Sequence, residues 1–213
     1  MLVSERMTYP VITISPDLSI NEALNLMKRE HIRRLPVMKD SKLVGIVTEQ
    51  DLLYASPSPA TTLSVWEMNY LLSKVTVKEV MTTEVITVPE NTPIEEAARM
   101  MVDNKIGGLP VMRDDEMIGI ITETDLFKVL LELMGARESG IRASVFLVNK
   151  PGQLARLAQA IADKGGNIIS IANFLGDDPT NRQLNFKVSG LSEEELRAII
   201  EPLVIRIKYI QCC

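Results

Sequence analysis

Apolar residues recur along this chain in two rhythms, short runs of four to six followed by helical spacing over about ten positions, and the same succession occurs twice. In the first copy Val11 to Ile14 reads as a short β-branched strand. Ser19-Ile20-Asn21-Glu22 has capping-box spacing ahead of Ala23, Leu24 and Met27, which predicts a helix reaching about His31. Leu35 to Met38 and Leu43 to Val47 read as two strands around a polar turn at Lys39 to Lys42, before a helix opens near Glu49. Met81 to Leu126 then follows Met7 to Leu52 without a gap at a constant offset of 74 residues, with roughly 20 of the 46 pairs identical. There Thr92-Pro93-Ile94-Glu95 predicts a helix with proline at its first position. A tandem of this kind predicts one two-fold module with paired sites.

Between the copies, Ser56-Pro57-Ser58-Pro59 is a turn-rich break, and Ser64 to Glu67 caps a predicted linker helix whose Trp66, Tyr70 and Leu71 form a packing stripe. After Leu131 the repeat is lost, Gly135 to Gly140 is a polar linker, and Met134 to Gly140 is read as a hinge. A strand (Arg142 to Val148), a helix with Leu154, Leu157, Ala158 and Ile161 on one face, and a stop at Gly165-Gly166-Asn167 follow. Then come Ile168 to Phe174, a turn at Gly176 to Asn181, Leu184 to Val188, a helix capped at Ser192-Glu193-Glu194-Glu195, and a last strand, Val204 to Ile210. That order is βαββαβ, a ferredoxin-like unit. The fold class is therefore α/β (α+β), divided as 1–55, 56–79, 80–133, 134–140 and 141–213.

Composition narrows the function. A net charge of -5 and no basic patch argue against nucleic acid as a partner, since affinity for phosphate backbones comes from clustered Lys and Arg. The first ten residues lack an apolar run and no stretch approaches a membrane span, so a cytoplasmic protein without membrane contact is expected. Cys212 and Cys213, side by side, make neither a disulfide framework nor a four-ligand zinc site, and are expected to finish a strand or fray. The single histidine, His31, falls at a helix end; no nucleophile–base set and no phosphate-binding Gly-Lys loop can be assembled, so no catalytic residue, catalytic cofactor or metal is expected.

One motif carries chemistry in both copies: Gly45-x-x-Thr48-x-x-Asp51 and Gly119-x-x-Thr122-x-x-Asp125. It sets a hydroxyl and a carboxylate at a strand-to-helix junction. Two readings stay open. The threonines are helix caps, or the junction binds a nucleotide, with phosphate at the helix N-terminus and a ribose diol on the aspartate.

Leu-Pro-Val-Met ahead of the strand pair and Gly-Ile-(Val/Ile)-Thr-Glu-x-Asp-Leu after it resemble cystathionine β-synthase (CBS) domains, and the pair resembles a Bateman module. The resemblance implies an adenosine-containing effector such as AMP, ADP or ATP in two crossed sites. One joins Ile120, Thr122 and Asp125 to Ile12, Ile32 and Arg34; the other joins Ile46, Thr48 and Asp51 to Ile86, Ile106 and Gly108. Because family members commonly place an arginine at the position of Arg34 against phosphates, the Arg34 site is expected to prefer a phosphorylated nucleotide. The Gly108 site is expected to be weaker, to take a nucleoside, or to be vacant.

The C-terminal part resembles an ACT domain through Asn149-Lys150-Pro151-Gly152-Gln153-Leu154 and Gly166-Asn167-Ile168. This implies a small amino acid bound by Asn149, Gly152, Leu154, Asn167 and Ile168 across a homodimer interface. The alternative is that the two asparagines only serve their turns. The whole order resembles acetoin-utilisation-type CBS–ACT regulatory proteins, which implies a non-catalytic sensor acting on a target enzyme that the sequence does not name. Two alternatives remain: a dimeric scaffold with vestigial sites, and a cleft holding S-adenosylmethionine or a related nucleoside.

Overall fold

Helix α1 (Ile20–Glu30) starts where its chemistry dictates: Ser19 Oγ accepts from the Glu22 amide at 3.3 Å, and the Glu22 carboxylate accepts from Ser19 N at 3.2 Å. Ile20, Ala23, Leu24 and Met27 form its buried face, and His31 closes it in the left-handed region at φ 54°. Strands β1 (Arg34–Lys39) and β2 (Lys42–Thr48) pair antiparallel through Asp40 and Ser41, both at positive φ, and α2 (Glu49–Tyr54) follows. The computed structural model describes residues 1–55 and 74–213, so the expected linker helix with Trp66, Tyr70 and Leu71 lies outside the described residues.

The second repeat has these parts and one short strand more: β3 (Val88–Pro89), α3 (Ile94–Asn104), β4 (Gly108–Arg113), β5 (Glu116–Thr122) and α4 (Glu123–Leu133). Two expectations need correction. Pro93 is the cap of α3 rather than its first residue, its carbonyl accepting from Glu96 N and Ala97 N at 3.0 and 3.2 Å. The strand expected at Val11 to Ile14 shrinks to one parallel bridge, Ile14 to Val37, because of the four residues Ile14 alone bonds to β1, its N donating to Pro36 O at 3.1 Å and its O accepting from Met38 N at 2.8 Å.

The two repeats exchange their leading arms. Thr8 N and O pair with Ile120 O and N at 2.8 and 3.1 Å, and Thr82 does the same with Ile46 at 2.9 Å in both directions. Upstream, Val3 N donates to Thr92 O and Val77 N to Leu18 O, each at 2.9 Å. These pairs are related by the sequence offset. The Val3 side chain is fully buried in the second repeat's core, with Val88, Met101, Leu109 and Ile121, while Val77 is fully buried in the first, with Ile20, Met27, Leu35 and Leu52. Gly119 and Gly45 have no side chain because Met7 and Met81 of the arms lie where a Cβ would stand.

The chain divides into two compact units, Met1–Leu126 and Phe127–Cys213, the division falling inside α4. The second unit has β6 (Ile141–Val148), α5 (Gln153–Ala162), β7 (Asn167–Leu175), β8 (Asn181–Ser189), α6 (Glu193–Ile200) and β9 (Arg206–Cys212). Its antiparallel sheet runs β7-β8-β6-β9, the expected βαββαβ order, and Leu157, Ile161, Leu196 and Ile200 of the helices pack with Ala143, Val145, Leu184 and Phe186 of the sheet. The last strand begins two residues later than expected, since Glu201–Leu203 forms a 3-10 turn, and Cys212 finishes it. The segment read as a hinge is fastened to the sheet. Met134 O accepts from Arg142 Nη2 at 2.9 Å and from Ser170 Oγ at 3.1 Å, and buried Lys187 donates to Gly135 O at 3.2 Å and to Glu138 O.

Arm exchange makes a direct prediction. Val77→Ala, a change within one arm, removes apolar volume from the core of the other repeat and should lower the unfolding free energy of the tandem unit by about 1.5–3 kcal/mol. Urea denaturation followed by circular dichroism measures this.

Candidate functional site

The strand-to-helix junctions build the site. Thr48 caps α2 through a reciprocal pair: its Oγ1 accepts from Asp51 N at 3.2 Å, while Asp51 Oδ2 accepts from Thr48 N at 2.9 Å and from Thr48 Oγ1 at 2.7 Å. In the second repeat Asp125 Oδ2 accepts from Thr122 N at 3.1 Å and Thr122 Oγ1 at 2.7 Å. Both open readings of the motif meet here. The threonine serves the helix start, and because the bonds to Asp51 fall on Oδ2, its other carboxylate oxygen lies outside the cap.

Ile46, Thr48 and Asp51 line a cleft of about 700 Å³ with Ile86, Ile106 and Gly108, so all six residues of that expected set come together. The crossing follows from the arms, because the Thr82–Ile46 bridge brings the segment leading to Ile86 against β2. The wall also holds Arg33, Arg34, Glu49, Gln50, Thr82, Glu84, Val85, Lys105 and Gly107, which sequence reasoning did not assign to this set. Three cations (Arg33, Arg34, Lys105) thus face three carboxylates (Glu49, Asp51, Glu84) around an apolar isoleucine floor. Lys105 sits there because it is the left-handed closing residue of α3, at φ 54°. Its counterpart, His31, plays the same part for α1.

Arg34, expected with Thr122 and Asp125, pairs by backbone register with Thr48, and its side chain crosses to the second repeat. A Cβ at Gly107 or Gly108 would collide with the Arg34 guanidinium, so the two glycines form the notch that receives it. Burial lowers the Arg34 pKa from its ordinary value; Glu123 acts against burial, Arg33 with it, and Asp125 against it. The expected contrast between an arginine site and a glycine site is therefore altered in space: the cleft containing Gly108 is also the one lined by both arginines.

Of the symmetry-related set, Ile120 is buried and bridged to Thr8, Asp125 is buried, and Thr122 is half-buried. Ile32 packs partly into the first repeat's core, while Ile12 is exposed in the extended segment before Ile14.

In the second unit Asn149, Gly152 and Leu154 lie at one end of the sheet, and Asn167 and Ile168 at the other. Val148 pairs with Asn181 and Asn167 with Ser189, the two ends of β8, so one strand length, roughly 26 Å, separates the groups. The Asn149 amide is engaged within the chain: Nδ2 donates to Pro179 O at 2.9 Å, and Oδ1 accepts from Arg182 Nε at 3.4 Å. Gly152, at φ 84°, has open space where a side chain would stand.

Comparison with known proteins follows the same outline. The family model described as "CBS domain" matches residues 3–58 and 77–132. Among solved structures, the CBS domain pair of protein MJ0100 in complex with 5′-methylthioadenosine and S-adenosyl-L-methionine is 31% identical, with TM-score 0.52 over 65% of this chain and 98% of that one. A putative acetoin utilization protein (AcuB) from Vibrio cholerae is 32% identical, with TM-score 0.54 over 64% and 95%. CBSX2 in complex with AMP is 30% identical, with TM-score 0.53 over 62% and 97%. The inosine-5′-monophosphate dehydrogenase of Korarchaeum cryptofilum is 43% identical over 55% of this chain, yet only 22% of that enzyme is spanned.

The cap half of the Thr-x-x-Asp chemistry can be tested alone. Thr48→Ala should cost about 0.5–2 kcal/mol of stability, whereas Thr48→Ser should cost much less, because the serine hydroxyl serves the same amide; thermal denaturation without ligand reads the difference.

Proposed function

The chain belongs to the CBS-domain family, and on that premise we propose that it is a regulatory protein whose tandem pair binds an adenosine-containing ligand of the AMP, ADP or ATP class. The carrying observation is the cleft itself. It pairs isoleucine walls, suited to an adenine ring, with an aspartate whose second oxygen lies outside its helix cap and with three cations within one lining. Neighbours in complex with AMP and with 5′-methylthioadenosine and S-adenosyl-L-methionine support the ligand class. CBS pairs are non-catalytic by themselves, and the dehydrogenase match spans only its CBS portion, so we assign no reaction to this chain.

S-adenosylmethionine or a related nucleoside is the second reading. Glu49, Asp51 and Glu84 favour it, because a sulfonium cation would meet them in the same cleft. Isothermal titration with AMP, ATP, adenosine and S-adenosylmethionine decides between them. The nucleotide reading expects AMP or ATP to bind more tightly than S-adenosylmethionine, with Asp51→Asn weakening all four by about ten- to a hundredfold. The reverse order favours the sulfonium ligand, and no binding at all leaves the protein-interaction scaffold.

We further assign the C-terminal unit to the ACT domains, with a small amino acid as effector and a homodimer as the working form. Its βαββαβ order supports the first assignment. The separation of Asn149 from Asn167 supports the last, since only a second copy would bring the two ends together. Edge strand β7 leaves Ile171 and Leu175 exposed on one side of the sheet and Phe174 on the other, along an edge that a neighbouring copy would cover. Sedimentation velocity is expected to give a dimer. A thermal-shift panel of amino acids is expected to find a stabilising one whose effect is lost in Asn167→Ala. A monomer that no amino acid stabilises would contradict the effector and the homodimer. No helix among the described residues is long and apolar enough to cross a membrane; a cytoplasmic location, an acetoin-utilisation role and an unnamed target enzyme complete the proposal, the AcuB likeness supporting the role.

A further inference from the structure

Arg33-Arg34 and Gly107-Gly108 hold equivalent places in the two repeats, around the starts of β1 and β4. The Arg34 guanidinium lies in the notch that the glycines leave, and the Glu123 carboxylate borders the same notch. Asp125, two residues along α4, also acts on Arg34 as an opposite charge. The same arginine lines the Thr48–Asp51 cleft. One cation is thus shared between an occupant of that cleft and the two carboxylates of the symmetry-related site, with Arg33 beside it as a like charge.

We propose that Arg34 couples the two candidate sites electrostatically: an anionic group bound in the Thr48–Asp51 cleft draws on the cation that otherwise neutralises Glu123 and Asp125, and so leaves the second site more negative. This rests on the adenosine reading above. Glu123 and Asp125 hold Arg34 against the first anionic ligand, and once that ligand is bound they repel a second one. An uncharged nucleoside meets neither effect. Two phosphorylated ligands therefore bind with negative cooperativity, whereas one phosphorylated and one uncharged ligand fill the pair together.

A double-mutant cycle tests this, using titration calorimetry of AMP and of adenosine into the full chain. Glu123→Gln is expected to strengthen AMP binding in the cleft by about two- to fivefold, as it loosens the competing hold on Arg34. Arg34→Ala is expected to weaken AMP binding by about ten- to a hundredfold, and Glu123→Gln to have no further effect in that background. Arg34→Lys, which keeps the charge, should restore sensitivity to Glu123→Gln and guards against a folding defect. Adenosine affinity should stay level across the series. An equal effect of Glu123→Gln with and without Arg34, or adenosine changing in step with AMP, overturns the coupling while leaving the adenosine reading intact. Failure of the wild-type chain to bind either compound overturns the adenosine reading itself.

Discussion

Each repeat's core is closed by a valine from the other repeat, and the rest of the tandem unit depends on that exchange. A βαββ segment of this length buries too little apolar surface to be stable alone. Val3 and Val77 complete the two cores reciprocally, and the Thr8–Ile120 and Thr82–Ile46 bridges fix the register of the crossing. Methionines seated against Gly45 and Gly119 set how closely each arm approaches. Folding and site assembly then become one event, because the crossing that buries Val77 also carries the Thr82–Ile86 segment to the cleft.

The cleft illustrates how one motif serves stability and binding together. Thr48 and Asp51 close the first turn of α2 with a reciprocal pair of hydrogen bonds, which holds the carboxylate in a single orientation before any ligand arrives. That preorganisation suits recognition of a diol, since little side-chain entropy remains to be lost. Around it, positive and negative side chains are balanced, so charge alone selects no ligand. Position decides instead, above all that of Arg34, which the notch at Gly107 and Gly108 places between the two repeats.

Much of this was legible in the chain. The capping boxes at Ser19, Thr48 and Ser192 and the β1–β2 hairpin follow from short-range chemistry that a sequence states openly. The βαββαβ order did as well. Val11 to Ile14 misled, because β-branched residues suggest a strand while only Ile14 meets the neighbouring strand, and the equivalent segment of the second repeat is equally short, at Val88–Pro89. The direction of the Arg34 side chain could not be read, since it depends on the absence of a side chain at Gly108, 74 positions away. Lys105 was equally hidden: a left-handed helix closure reads as a stop signal, and nothing local says that the stop faces a cleft. The fastening of Met134 to Gly140 required a lysine buried within β8, a placement that polarity patterns argue against.

The central claim is that one ligand is held by parts of both repeats at once. Hydrogen exchange read by mass spectrometry, with and without saturating AMP, tests it most directly. The account predicts joint protection of three stretches, residues 46–51 of the first repeat and residues 82–86 and 105–108 of the second. Protection confined to one repeat, or none in any of the three, would contradict it.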